Sequence, residues 1–232
     1  MSAVTRMVAN ELAAVPINST VPLAARHAET SAMLRFGGGV QSWSGLTAVT
    51  AVFGTHTAAV RLRGEIVALH GLHGTAVVVA GSHLSRVQVV RGGAYLARRV
   101  GLLDAAGKTI PDLNLDPNTC TYSEGAAVLR AAFLARGQVS VTAADDGRSD
   151  VRVRVSLACP GPSTARWLVA YLRRCGITAH RGQIAADAHT VELVQVRKLR
   201  AVGDLLLTMG APASTRRLLG DCIRLPGAVG AH

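Results

Sequence analysis

Apolar residues along this chain recur at two periods, and the changes from one to the other divide it into helices and strands. Val8, Leu12 and Val15 fall at helical spacing in a first helix that Pro16 closes. A second helix runs from about Leu23 to Phe36 and stops at Gly37-Gly38-Gly39, where positive φ becomes easy. Strand-like residues from Leu46 to Phe53 precede a helix from Thr57 to His70, ended by Gly71. Two β-rich runs, Thr75 to Ala80 and Ser85 to Val90, then lead to a helix from about Ala94 to Val100, ended by Gly101. Leu102 to Cys120 carries Pro111, Pro117 and turn-forming Asp and Asn, and reads as a connection.

After the connection the same order returns. A helix from Ser123 to Arg136 has Ser123 as its expected N-cap, Glu124 in its first turn and Gly137 at its end. Val139 to Ala143 and Val151 to Leu157 read as strands around the turn Asp145-Asp146-Gly147. Pro160-Gly161-Pro162-Ser163 opens a helix to Cys175, ended by Gly176. Strands at Ile177 to Gln183 and Thr190 to Val196 lead to a last helix from Lys198 to Met209, ended by Gly210. Matching helix ends pairs Gly39 with Gly137, Gly71 with Gly176 and Gly101 with Gly210. The pattern predicts an α+β fold of two pseudo-symmetric α-ββ-α-ββ-α halves, residues 21–101 and 123–215. An N-terminal helix in 1–20, a connection at 102–122 and an irregular tail at 216–232 complete the organisation. Ala24, Ala28 and Ala32 lie four apart, as do Ala127, Ala131 and Ala135, so the two opening helices can pack closely. Under the glycine matching these rows sit one residue out of register, and alanine as mere helix filler explains them as well.

Composition adds a partner class. The chain has 232 residues, 49% hydrophobic but only 3% aromatic, so its core is built from Val, Leu, Ala and Ile. The formal net charge is +11, and only Lys108 and Lys198 among the 25 basic residues are lysine. A GC-rich gene supplies arginine by codon usage alone, yet the charge favours a polyanion, nucleic acid before membrane. The longest stretch without charge, Phe36 to Val60, is rich in Gly, Ser and Thr and is no membrane span. Arg6 and Glu11 interrupt the start, so no secretory signal is expected. Cys120, Cys159, Cys175 and Cys222 are widely spaced and read as reduced thiols of a cytoplasmic protein.

The short words of the sequence carry more. They are Val8-Ala9-Asn10-Glu11-Leu12-Ala13, Arg26-His27-Ala28-Glu29, Leu34-Arg35-Phe36-Gly37-Gly38-Gly39 and Gly101-Leu102-Leu103-Asp104. Further on come Arg130-Ala131-Ala132-Phe133-Leu134-Ala135-Arg136-Gly137, Cys159-Pro160-Gly161-Pro162 and Leu172-Arg173-Arg174-Cys175-Gly176-Ile177. In this order, from about residue 4 to 215, they resemble the WhiA family of sporulation and cell-division transcription regulators. That resemblance implies the LAGLIDADG homing-endonuclease-like fold and a non-catalytic, DNA-binding regulator, associated with the nucleoid. It also implies, as the alternative, a module that binds sigma factor, RNA polymerase or a WhiB-like iron–sulfur protein, in competition with full-length relatives. LAGLIDADG nucleases end each central helix with a metal-binding acid. Gly38 and Arg136, beside Gly39 and Gly137, are the aligned positions here, so the resemblance implies no nuclease activity. The family's C-terminal helix-turn-helix is expected to be missing, since Arg216 to His232 leaves no room for three helices.

Candidate DNA contacts follow from alternation. Val151-Arg152-Val153-Arg154-Val155 puts the valines on one face and Arg152 and Arg154 on the other. Arg181 and Gln183, and Arg86, Gln88 and Arg91, repeat that pattern on other strands, either as phosphate contacts or as a solvated face that blocks edge pairing. Arg61, Arg63, Arg98, Arg99, Arg173 and Arg174 lie on helices and read as solvated. Trp43 could stack on bases, whereas Trp167 reads as core beside Leu168, Tyr171 and Leu172. His70, His73 and His83 have no Cys or carboxylate at ligand spacing, and no phosphate loop, dinucleotide fingerprint or nucleophile elbow occurs, so no metal and no cofactor are expected.

Overall fold

The computed structural model describes residues 1–17, 20–72, 76–80, 84–143, 151–186 and 189–224. The expected turn at Asp145-Asp146-Gly147, with His73 and His83, lies outside the described residues, as does the side chain of Trp43. The elements are α1 (Ala3–Ala13), α2 (Leu23–Gly37), β1 (Gly38–Trp43), β2 (Leu46–Phe53), α3 (His56–His70), β3 (Ala76–Ala80), β4 (Ser85–Val89) and α4 (Gly93–Arg99). The second half repeats them as α5 (Tyr122–Arg136), β5 (Gly137–Ala143), β6 (Val151–Cys159), α6 (Pro162–Arg174), β7 (Ala179–Ala186), β8 (His189–Arg197) and α7 (Leu199–Met209), followed by α8 (Pro212–Arg224). The two antiparallel sheets have the same strand order, β1-β2-β4-β3 and β5-β6-β8-β7. α2 packs along α5, and one continuous core joins the halves.

Three local features differ from the sequence reading. The N-cap of α5 is Thr121, not Ser123: its hydroxyl accepts from Glu124 N while the Glu124 carboxylate accepts from Thr121 N at 2.8 Å. α8 extends to Arg224, so 216–224 is helical rather than irregular. Pro212 starts it, where a missing N–H is harmless, and buried Leu218 and Cys222 hold one face. The register of the repeat also moves by one residue. α2 and α5 are both 15 residues long and end at Gly37 and Arg136, and Gly38 and Gly137 each begin a strand. Gly37, not Gly38, is therefore the counterpart of Arg136. With that shift Ala28 and Ala32 coincide with Ala127 and Ala131. The glycine stops themselves stand: at Gly101 (φ 71°) and Gly176 (φ 74°) the following amide bonds back to Ala97 and Leu172, closing α4 and α6.

Much of the arginine is structural. Glu29, 4% exposed, accepts from Arg61 Nε at 2.5 Å and from Arg130 Nε at 3.1 Å. Arg61 also donates to Ala13 O and Val15 O, and Arg130 to Met209 O. One carboxylate and two guanidinium groups thus join α2, α3 and α5 to the ends of α1 and α7. Arg61, expected to be solvated, is buried. Arg35 fastens the connection through Gly101 O and Ile110 O, and Arg174, exposed but not free, fastens it through Pro117 O and Cys120 O. Buried Trp167 stacks on Tyr171 and donates to Leu115 O. The cysteines are free thiols, and burial pushes Cys159 up to about 12.

α1 bridges the halves. Thr5 Oγ1 accepts from Val139 N on the open side of edge strand β5 at 2.9 Å. Glu11 accepts from Ala213 N and Ser214 N at the start of α8, at 2.7 and 2.6 Å. On α3, buried His70 meets His27 edge to face, ring centroids 5.5 Å apart, and neither His70 nitrogen has a hydrogen-bond partner. Burial first, then His27 and Arg99, lowers the His70 pKa; burial first, then Arg99 and Arg26, lowers that of His27. In the unfolded chain both revert to about 6.5, so below that pH the unfolded state binds more protons. Stability is then fully present above about pH 6.5 and falls as the pH drops through this window toward the lowered folded values. Urea midpoints are expected to be lower at acid than at neutral pH, by less in His70→Leu. An acid limb identical in that variant would exclude His70 as its source.

Candidate nucleic-acid interface

α2 and α5 run straight into β1 and β5, and their ends lie side by side: Arg136 Nε donates to Phe36 O at 3.0 Å. One edge strand of each sheet, β1 and β5, begins at this junction. On β6 the expected alternation is present. Val153, Val155, Leu157 and Cys159 are buried, while Arg152 and Arg154 are exposed. Pairing sets their neighbours. Arg152 faces Thr142 and Arg154 faces Ser140 on β5, and Arg154 faces Arg197 on β8. Arg197, which sequence reasoning missed, is exposed and donates to Gln195 Oε1 at 2.7 Å. Its signal was available, since Gln195 and Arg197 alternate with buried Val194 and Val196. Residues directly opposite in an antiparallel pair have Cβ atoms about 4.5–5.5 Å apart, so Arg154 and Arg197 hold like charges together, an arrangement that an anion would relieve.

The other candidates divide. Arg86 is exposed and Gln88 half-buried, and their partners Val52 and Thr50 place both on the outward face of the first sheet. Arg91 is not on that strand: β4 ends at Val89, and Arg91 sits in the turn before α4, where the alternation no longer applies. Arg181 and Gln183 lie on the opposite face of the second sheet from Arg152 and Arg154. Their register partners Val194 and Glu192 are on the inward face, and both side chains donate to Glu192, at 3.1 and 2.6 Å. The bond from Gln183, then that from Arg181, holds the Glu192 carboxyl below its ordinary pKa. The cause is strand parity. β7 reads Ala-His-Arg-Gly-Gln-Ile-Ala-Ala, with no alternation of its own, and only pairing to β8 fixes its faces.

The junction has no carboxylate. A Cβ on Gly37 would lie 2.8 Å from Ala51 Cβ, and one on Gly38 would lie 2.4 Å from the backbone oxygen of Thr50. The first helix end therefore has no room for an acid, and the second carries a guanidinium that satisfies the neighbouring helix terminus. Among the described residues no three His, Cys, Asp or Glu side chains are grouped to hold a metal ion, and no helix is long and apolar enough to cross a membrane.

No protein-family model matches the chain. The probable cell division protein WhiA of Arthrobacter sp. (strain FB24) is 36% identical over 214 residues, covering 90% of this chain and 61% of the relative. That of Micrococcus luteus is 37% identical over 214 residues, with 90% and 62% covered. The chain thus spans 61–62% of the length of these relatives. Among solved structures, full-length WhiA from Thermatoga maritima has a TM-score of 0.59 at 13% identity, over 100% of this chain and 69% of its own. The N-terminal LAGLIDADG domain of WhiA has a TM-score of 0.57 at 14% identity, over 89% of each. The homing endonuclease I-DmoI, in complex with DNA and Mn, has 0.51 at 13% identity, over 81% and 98%. The chain is a homologue of the WhiA cell division proteins, and its fold is that of the WhiA N-terminal LAGLIDADG domain.

Proposed function

We propose that this protein is a WhiA-type regulator domain that binds DNA without cutting it, through phosphate contacts on the outward faces of its two sheets. The observation that carries the reading is the group Arg152, Arg154 and Arg197, exposed on adjoining strands with one like-charged pair directly opposed. Arg86 extends the contact to the first sheet, and the crowded glycines with Arg136 at the junction argue against a catalytic metal. I-DmoI, which has this fold, was solved with DNA bound. Such binding places the protein on the nucleoid, in the service of transcription and cell division.

Phosphate-dominated binding has a measurable signature. Affinity for two unrelated duplexes is expected to be alike and to fall steeply with salt, with a slope of about −0.9 per phosphate neutralised. Replacing Arg152, Arg154 and Arg197 together by alanine is expected to reduce that slope by about three units, if each holds one phosphate. Arg181→Ala, on the other face, is expected to leave it unchanged. Fluorescence anisotropy across a salt series reads both. No binding even in about 50 mM salt would end the proposal.

A further inference from the structure

A groove lies at the other end of the central helices, between α2, the last turn of α4, the connection and the start of α5. His27, Arg98, Arg99 and Asn114 are among its polar lining, and half-buried Ala28 and Leu113 are part of its apolar wall. From His27 to Gly37 is ten residues of helix, about 15 Å, so the groove is separate from the outward sheet faces. Arg98 and Arg99 are exposed, and among the described residues neither has a carboxylate within ion-pair reach. The one acid in the lining, Glu124, is taken: its carboxylate accepts from Thr121 N and Oγ1 at 2.8 and 2.7 Å. Behind His27 stands His70, 8% exposed, with both ring nitrogens unpartnered.

We propose that this groove binds a small phosphorylated organic molecule, with its phosphate held by Arg98, Arg99 and His27 and its apolar body against Ala28 and Leu113. Arg98 and Arg99 both line the groove, and a dianion can compensate the charge of each, whereas a monocarboxylate leaves one uncompensated. The apolar wall adds affinity that inorganic phosphate cannot use.

Trp167 is a built-in reporter, since its Nε1 donates at 2.5 Å to the carbonyl of Leu115, which lines the groove. The full chain, with Trp43→Phe to remove the other indole, would be titrated with adenosine diphosphate, inorganic phosphate and succinate. The expected result is saturable binding of adenosine diphosphate, tighter than that of phosphate or succinate. The double change Arg98→Ala and Arg99→Ala is expected to weaken it at least about tenfold. Both side chains are exposed, so the melting temperature of that variant should hold. Arg154→Ala, on the sheet face, should bind the nucleotide normally. Any of three results would overturn the site: no saturation with adenosine diphosphate, succinate binding as tightly as the nucleotide, or equal loss in the Arg154→Ala protein.

Discussion

Glu29→Leu is expected to lower stability by about 3–5 kcal/mol, the range for removing one partner of a buried ion pair. Among the described residues Glu29 is the one anion paired with Arg61 and Arg130, both nine-tenths buried or more. The variant would leave two desolvated guanidinium groups with backbone carbonyls as acceptors but no compensating charge. For a chain whose total stability falls in the usual range of about 5–15 kcal/mol, that loss approaches unfolding. A drop of roughly 10 °C or more in Tm is expected, at about 2–4 °C per kcal/mol for this size. Urea titration checks the value. The reference is Arg217→Ala, which breaks an exposed i,i+4 contact of 3.9 Å with Asp221 and is expected to change almost nothing. A Glu29 variant as stable as that reference would mean that the triad holds nothing together. Filling all three positions with apolar residues of similar volume is expected to recover much of the loss, because the penalty lies in unpaired charge.

Gly38→Asp is the second large effect, and it separates this chain from an active nuclease. A Cβ there meets the Thr50 carbonyl oxygen at 2.4 Å, a backbone atom that cannot swing aside. The strand pair Gly39↔Thr50 must shift, at a cost of about 1–3 kcal/mol or more. Gly37→Asp meets Ala51 instead, again inside contact distance. Combining either change with Arg136→Asp is expected to give a destabilised protein that does not cut duplex DNA in Mg²⁺, because the new carboxylates arrive on a displaced strand. The second change also removes the hydrogen bond to Phe36 O. A thermal melt beside a plasmid-cleavage assay measures both effects. Site-specific cutting would show that the junction keeps the geometry of a metal site.

The element order was legible because glycine stops and valine alternation are local signals. Gly71, Gly101, Gly176 and Gly210 end their helices with positive φ, as their positions suggested. The repeat register was not legible, because Gly37, Gly38 and Gly39 offer three equivalent places to end a helix. Only the equal lengths of α2 and α5 choose among them. Charge misled where burial was hidden. Arg61 and Arg63 are two apart on one helix, yet one is buried against Glu29 and the other exposed, and nothing in the local sequence says which acid lies 32 residues away. The same limit explains β6 and β7. Arg152 and Arg154 are framed by valines that declare an inward face, whereas Arg181 and Gln183 are framed by Gly182, which declares none. A face is written into a strand only when its own residues alternate; otherwise its neighbour decides.

The N-terminal helix imposes an order in time. Thr5 waits for a partner 134 residues later, and Glu11 for amides at the start of α8 more than 200 residues on. At about 5–20 residues per second, the ribosome takes roughly 10–40 s to supply the second of these. Until then the end of α1 that carries Glu11 lacks this anchor, although α3 and α5, made earlier, already offer packing surfaces for its apolar stripe. Helix α1 is thus fully fastened only after α8 has been made. Its docking completes the assembly of the two halves.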